Sequence, residues 1–91
     1  MNQVHVLLPS AVLEIIGVDR QLIVRADSVG AALEAVDSLH PGVSSRFVTD
    51  GMLRRFVKIF VNGSDIQGLN GMETLLTEGD EVAVITAVAG G

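Results

Sequence analysis

Apolar residues along this chain follow two periods, and the switches between them mark its elements. Residues 2–8 alternate, with Val4, Val6 and Leu8 on one side and Gln3, His5 and Leu7 on the other, the spacing of a half-buried strand closed by Pro9. Residues 21–25, Gln-Leu-Ile-Val-Arg, read as a second strand, antiparallel to the first because the connection is short. Between them, Ala11, Val12, Leu13, Ile15 and Ile16 surround Glu14 and fit either a helical turn or a hydrophobic loop.

The period then becomes that of a helix. Val29, Ala32, Leu33, Val36 and Leu39 share one face while Glu34 and Asp37 fall on the other. Asp27 or Ser28 is placed to cap the first turn, and His40-Pro41-Gly42 stops the element. Residues 42–53 read as a looping connection with a short helical piece around Phe47 and Val48. Residues 56–61, Phe-Val-Lys-Ile-Phe-Val, predict a central strand, Asn62-Gly63 a type I′ hairpin turn, and residues 64–67 a brief return strand. A loop over 68–77 is expected to be plugged by Leu69, Leu75 and Leu76, and the Glu-Gly-Asp-Glu corner at 78–81 leads into a last strand over 82–87. This order predicts an α+β fold, one domain spanning 1–91, in which a mixed sheet of four to five strands packs on one main helix.

One helix leaves the other sheet face open. With Val57, Ile59 and Val61 turned toward the helix, Phe56, Lys58 and Phe60 face outward, and Leu7, Ile23 and Ile85 are placed to join them in an apolar patch suited to a protein partner. Lys58, the single lysine, follows Arg54 and Arg55; it suits a partner's carboxylate, and equally a solvated position.

Composition removes several classes of function. Eleven acidic against six basic side chains give a net charge of −5, which repels nucleic acid, and three phenylalanines without Trp or Tyr offer few stacking surfaces. No run of apolar residues reaches the ~20 needed to span a bilayer, and the N-terminus lacks the layout of a secretory signal, so a cytoplasmic protein is expected. There is no cysteine, and His5 and His40 lack Ser or Asp partners at catalytic spacing, so neither a metal site nor an enzyme is expected. Asp80 and Glu81 read as a polar corner more readily than as a catalytic pair.

The sequence ends Ala87-Val88-Ala89-Gly90-Gly91. Without Cβ atoms, two glycines pass a narrow channel and bring a bare carboxylate against a phosphate or thiol without clash. Five extended residues reach ~16 Å, enough to enter another protein's active site. On the glycines alone, a fraying terminus is the simpler reading.

The wider pattern adds to this. Val61-Asn62-Gly63-Ser64-Asp65, the Glu-Gly-Asp-Glu corner within 75–84, and the Ala-Val-Ala-Gly-Gly ending resemble the ubiquitin-like MoaD/ThiS sulfur-carrier family over nearly the whole chain. Residues 53–62 and the ending look most like the branch that includes the sulfur carrier for cysteine biosynthesis in actinobacteria. Thr86 stands where the family often has proline, which leaves the exit of the tail less stiff.

The resemblance implies a β-grasp fold with a flexible Gly-Gly tail over 87–91. Gly91, preceded by Gly90, would be adenylated by a ubiquitin-activating-type, MoeB/ThiF-like adenylyltransferase using ATP, and then thiocarboxylated by a sulfurtransferase or sulfide donor. A sulfur-accepting enzyme, of cysteine-synthase type in that branch, would take the sulfur. No cofactor is expected to stay bound. The surface offered to partners is expected to include Phe56, Lys58, Phe60 and Ile85 with Ala87, Val88 and Ala89. The alternatives are the small subunit of molybdopterin synthase and a ubiquitin-like modifier joined through Gly91 to lysines of other proteins.

Overall fold

Valine, leucine and isoleucine at every second position give the sheet its inner face. The computed structural model describes residues 1–86. In chain order its elements are β1 (Gln3–Leu7), α1 (Ser10–Ile16), β2 (Leu22–Arg25), α2 (Val29–Leu39), β3 (Val48–Thr49), β4 (Met52–Leu53), β5 (Val57–Val61), β6 (Ser64–Asp65) and β7 (Glu81–Thr86), with short 3₁₀ turns at Ser44–Arg46, Ile66–Gly68 and Gly71–Glu73. Five strands pair in the order β2-β1-β7-β5-β6, and β3 and β4 form a separate hairpin. The sheet is mixed: β1 runs parallel to β7, and every other pair is antiparallel, including β1 with β2 as expected, although residues 8–21 between them carry α1 and are long enough for a parallel crossover.

The middle position belongs to β7. Residues 57–61 lie between β7 and the two-residue β6, so the strand expected to be central stands one place from the edge. Its alternation is strong because both faces are in use, and alternation does not report a strand's rank in the sheet. The Asn62-Gly63 turn is the expected hairpin: both residues have positive φ, 50° and 87°, and Val61 pairs directly with Ser64. Only Gly63 takes such a φ at no steric cost.

Val4, Val6, Val24, Ile59, Val61, Val82 and Val84 line the inner face and share one core with Val29, Ala32, Leu33 and Val36 of α2. The cap of α2 is Ser28, whose hydroxyl accepts from the Ala31 amide at 3.1 Å, while Asp27 accepts from the Asn2 amide and ties the chain start to the helix entry. Ser10–Ile16 form the short helix α1, capped by Gly17 at φ 75° and holding Val12 and Leu13 in the core.

Several expected plugs lie elsewhere. Leu39 is 57% exposed, because the chain turns away at His40 and Val43 takes the buried place. Thr74, Leu75 and Leu76 alternate in, out, in, which leaves Leu75 78% exposed, and Ile66 fills the space expected of Leu69, itself exposed. The helical piece placed around Phe47 and Val48 is the 3₁₀ turn at Ser44–Arg46. Phe47 follows it and is fully buried, and Val48 opens the β3–β4 hairpin. The return strand stops at Asp65, whose carboxylate accepts from the Gln67 amide and starts another 3₁₀ turn.

Candidate functional site

β7 carries the chain from an acidic corner, across the open sheet face, to Thr86, the last described residue. At its start the Asp80 carboxylate accepts from the Thr77 amide at 2.8 Å, the Asn62 side-chain amide at 2.9 Å and the Thr77 hydroxyl at 3.2 Å. The Glu81 amide donates to Asn62 Oδ1 at 2.9 Å, which fastens the β5–β6 hairpin to the entry of β7. The Thr77 amide and the Asn62 side chain hold the Asp80 carboxyl below the usual aspartate value. Asp80 and Glu81 are thus a structural corner.

Across the open face the register sets three rows. Ile23, His5 and Glu81 form one, Leu7, Ala83, Phe60 and Asp65 the next, and Ile85 with Lys58 the third. Leu7, Ala83, Phe60 and Ile85 therefore make a contiguous apolar area, with Ile23 in a different row on the far strand. Ile85 is 46% exposed, although it lies on a middle strand. Lys58, at the basic end of this face, pairs with Asp65 at 3.6 Å.

Phe56 does not share that face. It precedes β5 in a left-handed turn with φ 68°, a conformation that a bulky side chain rarely adopts, and it is 55% exposed with the Arg55 guanidinium 5.1 Å from its ring centroid. Because Val57 pairs with Thr86, this turn stands beside the last described residue of β7. There Arg46, Thr49, Arg54, Arg55, Phe56 and Thr86 line an open groove of about 550 Å³. Spacing in the sequence gives no sign that Arg46 belongs with Arg54 and Arg55. The bond from the Arg54 amide to the Phe47 carbonyl at 2.8 Å brings them together. The Arg-Arg-Phe run before β5 is the one legible signal.

Ala87, Val88, Ala89, Gly90 and Gly91, together with the flexibility expected of them, lie outside the described residues. His5 Nδ1 lies 3.1 Å from the Gln21 side-chain amide, and the His40 amide closes α2 on the Val36 carbonyl. Among the described residues no group of three His, Cys, Asp or Glu side chains is placed to hold a metal ion, and no helix is long and apolar enough to cross a membrane.

A mixed sheet grasping one main helix, with β1 and β7 parallel in its middle, defines a ubiquitin-like β-grasp protein. Residues 6–91 match the ThiS family, and the chain belongs to that family. It is 32% identical over 91 residues to the sulfur carrier protein CysO of Mycobacterium tuberculosis, covering 97% of this chain and 98% of that one. It is 36% identical over 64 residues to small archaeal modifier protein 3 of Haloferax volcanii, covering 70% of each. In structure it is similar to a chain of the Amycolatopsis orientalis BexX/CysO complex, with a TM-score of 0.89 at 30% identity over 97% of this chain and 99% of that one. It is also similar to small archaeal modifier protein 1 of Methanosarcina acetivorans, with a TM-score of 0.85 at 28% identity over 100% and 98%.

Proposed function

We propose that this protein is a sulfur carrier that works through the Gly91 carboxylate, which is converted to a thiocarboxylate and gives up its sulfur to a biosynthetic enzyme. The observation that carries this reading is the likeness to CysO along almost the whole of both chains. The chemistry follows from the leaving group. Oxide is a poor one, so the carboxylate first attacks the α-phosphorus of ATP on a MoeB/ThiF-like enzyme, releasing pyrophosphate and forming an acyl-adenylate. Sulfide from a sulfide donor then displaces AMP, which leaves with one carboxylate oxygen; where a sulfurtransferase persulfide attacks instead, a second thiol must cleave the resulting acyl disulfide, becoming a disulfide itself, to free the thiocarboxylate. The favoured acceptor is a cysteine-synthase-type enzyme. The carrier acts as co-substrate and binds no cofactor of its own, and the open face around Lys58, Phe60 and Ile85, with Phe56 and residues 87–89, is the surface it offers.

The test is intact mass spectrometry after incubation with ATP, the host's activating enzyme and a sulfide source. The expected product has one oxygen replaced by sulfur at Gly91, and deletion of Gly91 abolishes it. An unchanged mass beside a demonstrably active enzyme overturns the reading.

The likeness to the archaeal modifier proteins supports a second reading, conjugation through Gly91 to lysines. It needs the same activated terminus and ends in an amide. A ladder of larger species on a gel, resistant to thiols and lost on deleting Gly91, selects it.

A further inference from the structure

The groove at the end of β7 contradicts the charge of the rest of the molecule. The chain carries −5 overall, yet Arg46, Arg54 and Arg55, three of its six basic side chains, line one groove beside Thr86. All three are exposed, and among the described residues none of them makes an ion pair and no carboxylate lines the groove. Lys58, on the strand beside them, is paired with Asp65 and lies outside the groove. The opposite end of β7 holds Glu78, Asp80 and Glu81. Six residues of strand span roughly 17 Å, so the arginines and the three carboxylates stand at opposite ends of β7 over that distance, with Arg25 across from Gln3 at the acidic end.

Such clustering has a cost. Like charges held close repel, and Phe56 sits at φ 68° with its ring exposed at the mouth of the groove. Strain at an exposed side chain outside the core is the kind found at ligand-contacting positions.

From these observations we infer that the groove is a docking site for carboxylate side chains on the protein that receives residues 87–91. The occupant is identified by complementarity: guanidinium forks bind carboxylates in two-point fashion. Thr86, the last described residue, lines the groove, so these arginines stand beside the start of the segment that a receiving protein would enclose. An acidic rim around the receiving channel would draw the cationic end forward and repel the Glu78–Glu81 end, which orients the encounter and speeds association. The inference rests on the carrier or modifier reading, since both require the terminus to enter another protein.

Two measurements test it. In the first, full-length protein labelled with ¹⁵N is titrated with a hexaglutamate peptide at low salt, and separately with inorganic phosphate and with AMP. The expected result is that the Arg46, Arg54 and Arg55 Nε–H signals and the Thr86 amide move with the peptide and return as salt is raised. Movement by AMP at lower concentration than by peptide overturns the inference in favour of a nucleotide site, and no movement with the peptide overturns it outright. This arm needs no activating enzyme, so it stands even if the carrier reading fails. In the second, adenylation is measured for R46Q/R54Q/R55Q, whose exposed positions and retained backbone bonds leave the fold in place, as circular dichroism checks. The expected result is a rise in KM of about tenfold with kcat within twofold, and a shallower dependence of kcat/KM on salt than for the unsubstituted protein. An unchanged KM in a folded variant that is still adenylated overturns the docking role while leaving the carrier reading intact.

Discussion

Asp80 shows how one side chain fixes the start of the strand on which the rest depends. Its carboxylate collects the Thr77 amide and hydroxyl and the Asn62 amide, and these donors hold its pKa below the ordinary value of 3.8. A carboxyl whose folded pKa is depressed stabilises fully above its unfolded value and loses that contribution as pH falls through the lower folded one. Asp37, lowered by the Ser44 hydroxyl and the Gly42 amide, acts in the same direction. Asp80→Asn is therefore expected to be less stable than the parent at pH 7 by about 1 kcal/mol, the value of a partly solvated charged hydrogen bond. The gap should narrow in acid below the usual aspartate range, where the parent also becomes protonated, and urea melts across pH check this. Phe56 makes the opposite case. Glycine accepts φ 68° without strain, so Phe56→Gly is expected to keep or raise Tm while weakening docking of the tail-accepting enzyme, as calorimetry and binding titration would read side by side.

Elements with a clean period are legible in the sequence alone. The alternating strands show which side chains of β1, β2, β5 and β7 meet the helix, and the apolar face of α2 matches except at Leu39, where the period runs on after the chain has turned. What stays hidden lacks a period. The stretch from Val43 to Leu53 contributes a 3₁₀ turn and a two-residue hairpin whose geometry depends on burial of Phe47 against distant elements. That burial makes Phe47 the anchor of the whole connection. Phe47→Ala is expected to cost about 3–5 kcal/mol and to broaden the Arg46 and Arg54 signals by freeing the groove wall, which denaturant melts and NMR linewidths would show. The site is legible in part for the same reason: Lys58, Phe60 and Ile85 lie on strands and share a face, whereas Phe56 enters a turn and Arg46 arrives through a backbone bond.

At the scale of the molecule, the open face is the surface proposed for a partner and the groove is the charged end inferred to guide it. Ile85 stands in the row beside Lys58 and is nearly half exposed, so a carboxylate there disturbs little of the core. Ile85→Asp is expected to change Tm by only a few degrees and to reduce kcat/KM for adenylation by about tenfold, because apolar contact at the centre of an interface carries most of its energy. A large drop in Tm or an unaltered rate would speak against this surface.

The place of β7 between β1 and β5 bears on how the protein is made. Both neighbours must wait for it: β1 leaves the ribosome early, yet Val6 is destined for Val82 and Leu7 for Ala83, and β5 pairs with β7 as far as Thr86. Pairings this distant in sequence form slowly. A chain cut short before β7 has no middle strand, and β1 and β5 are left without the partner that joins them into one sheet.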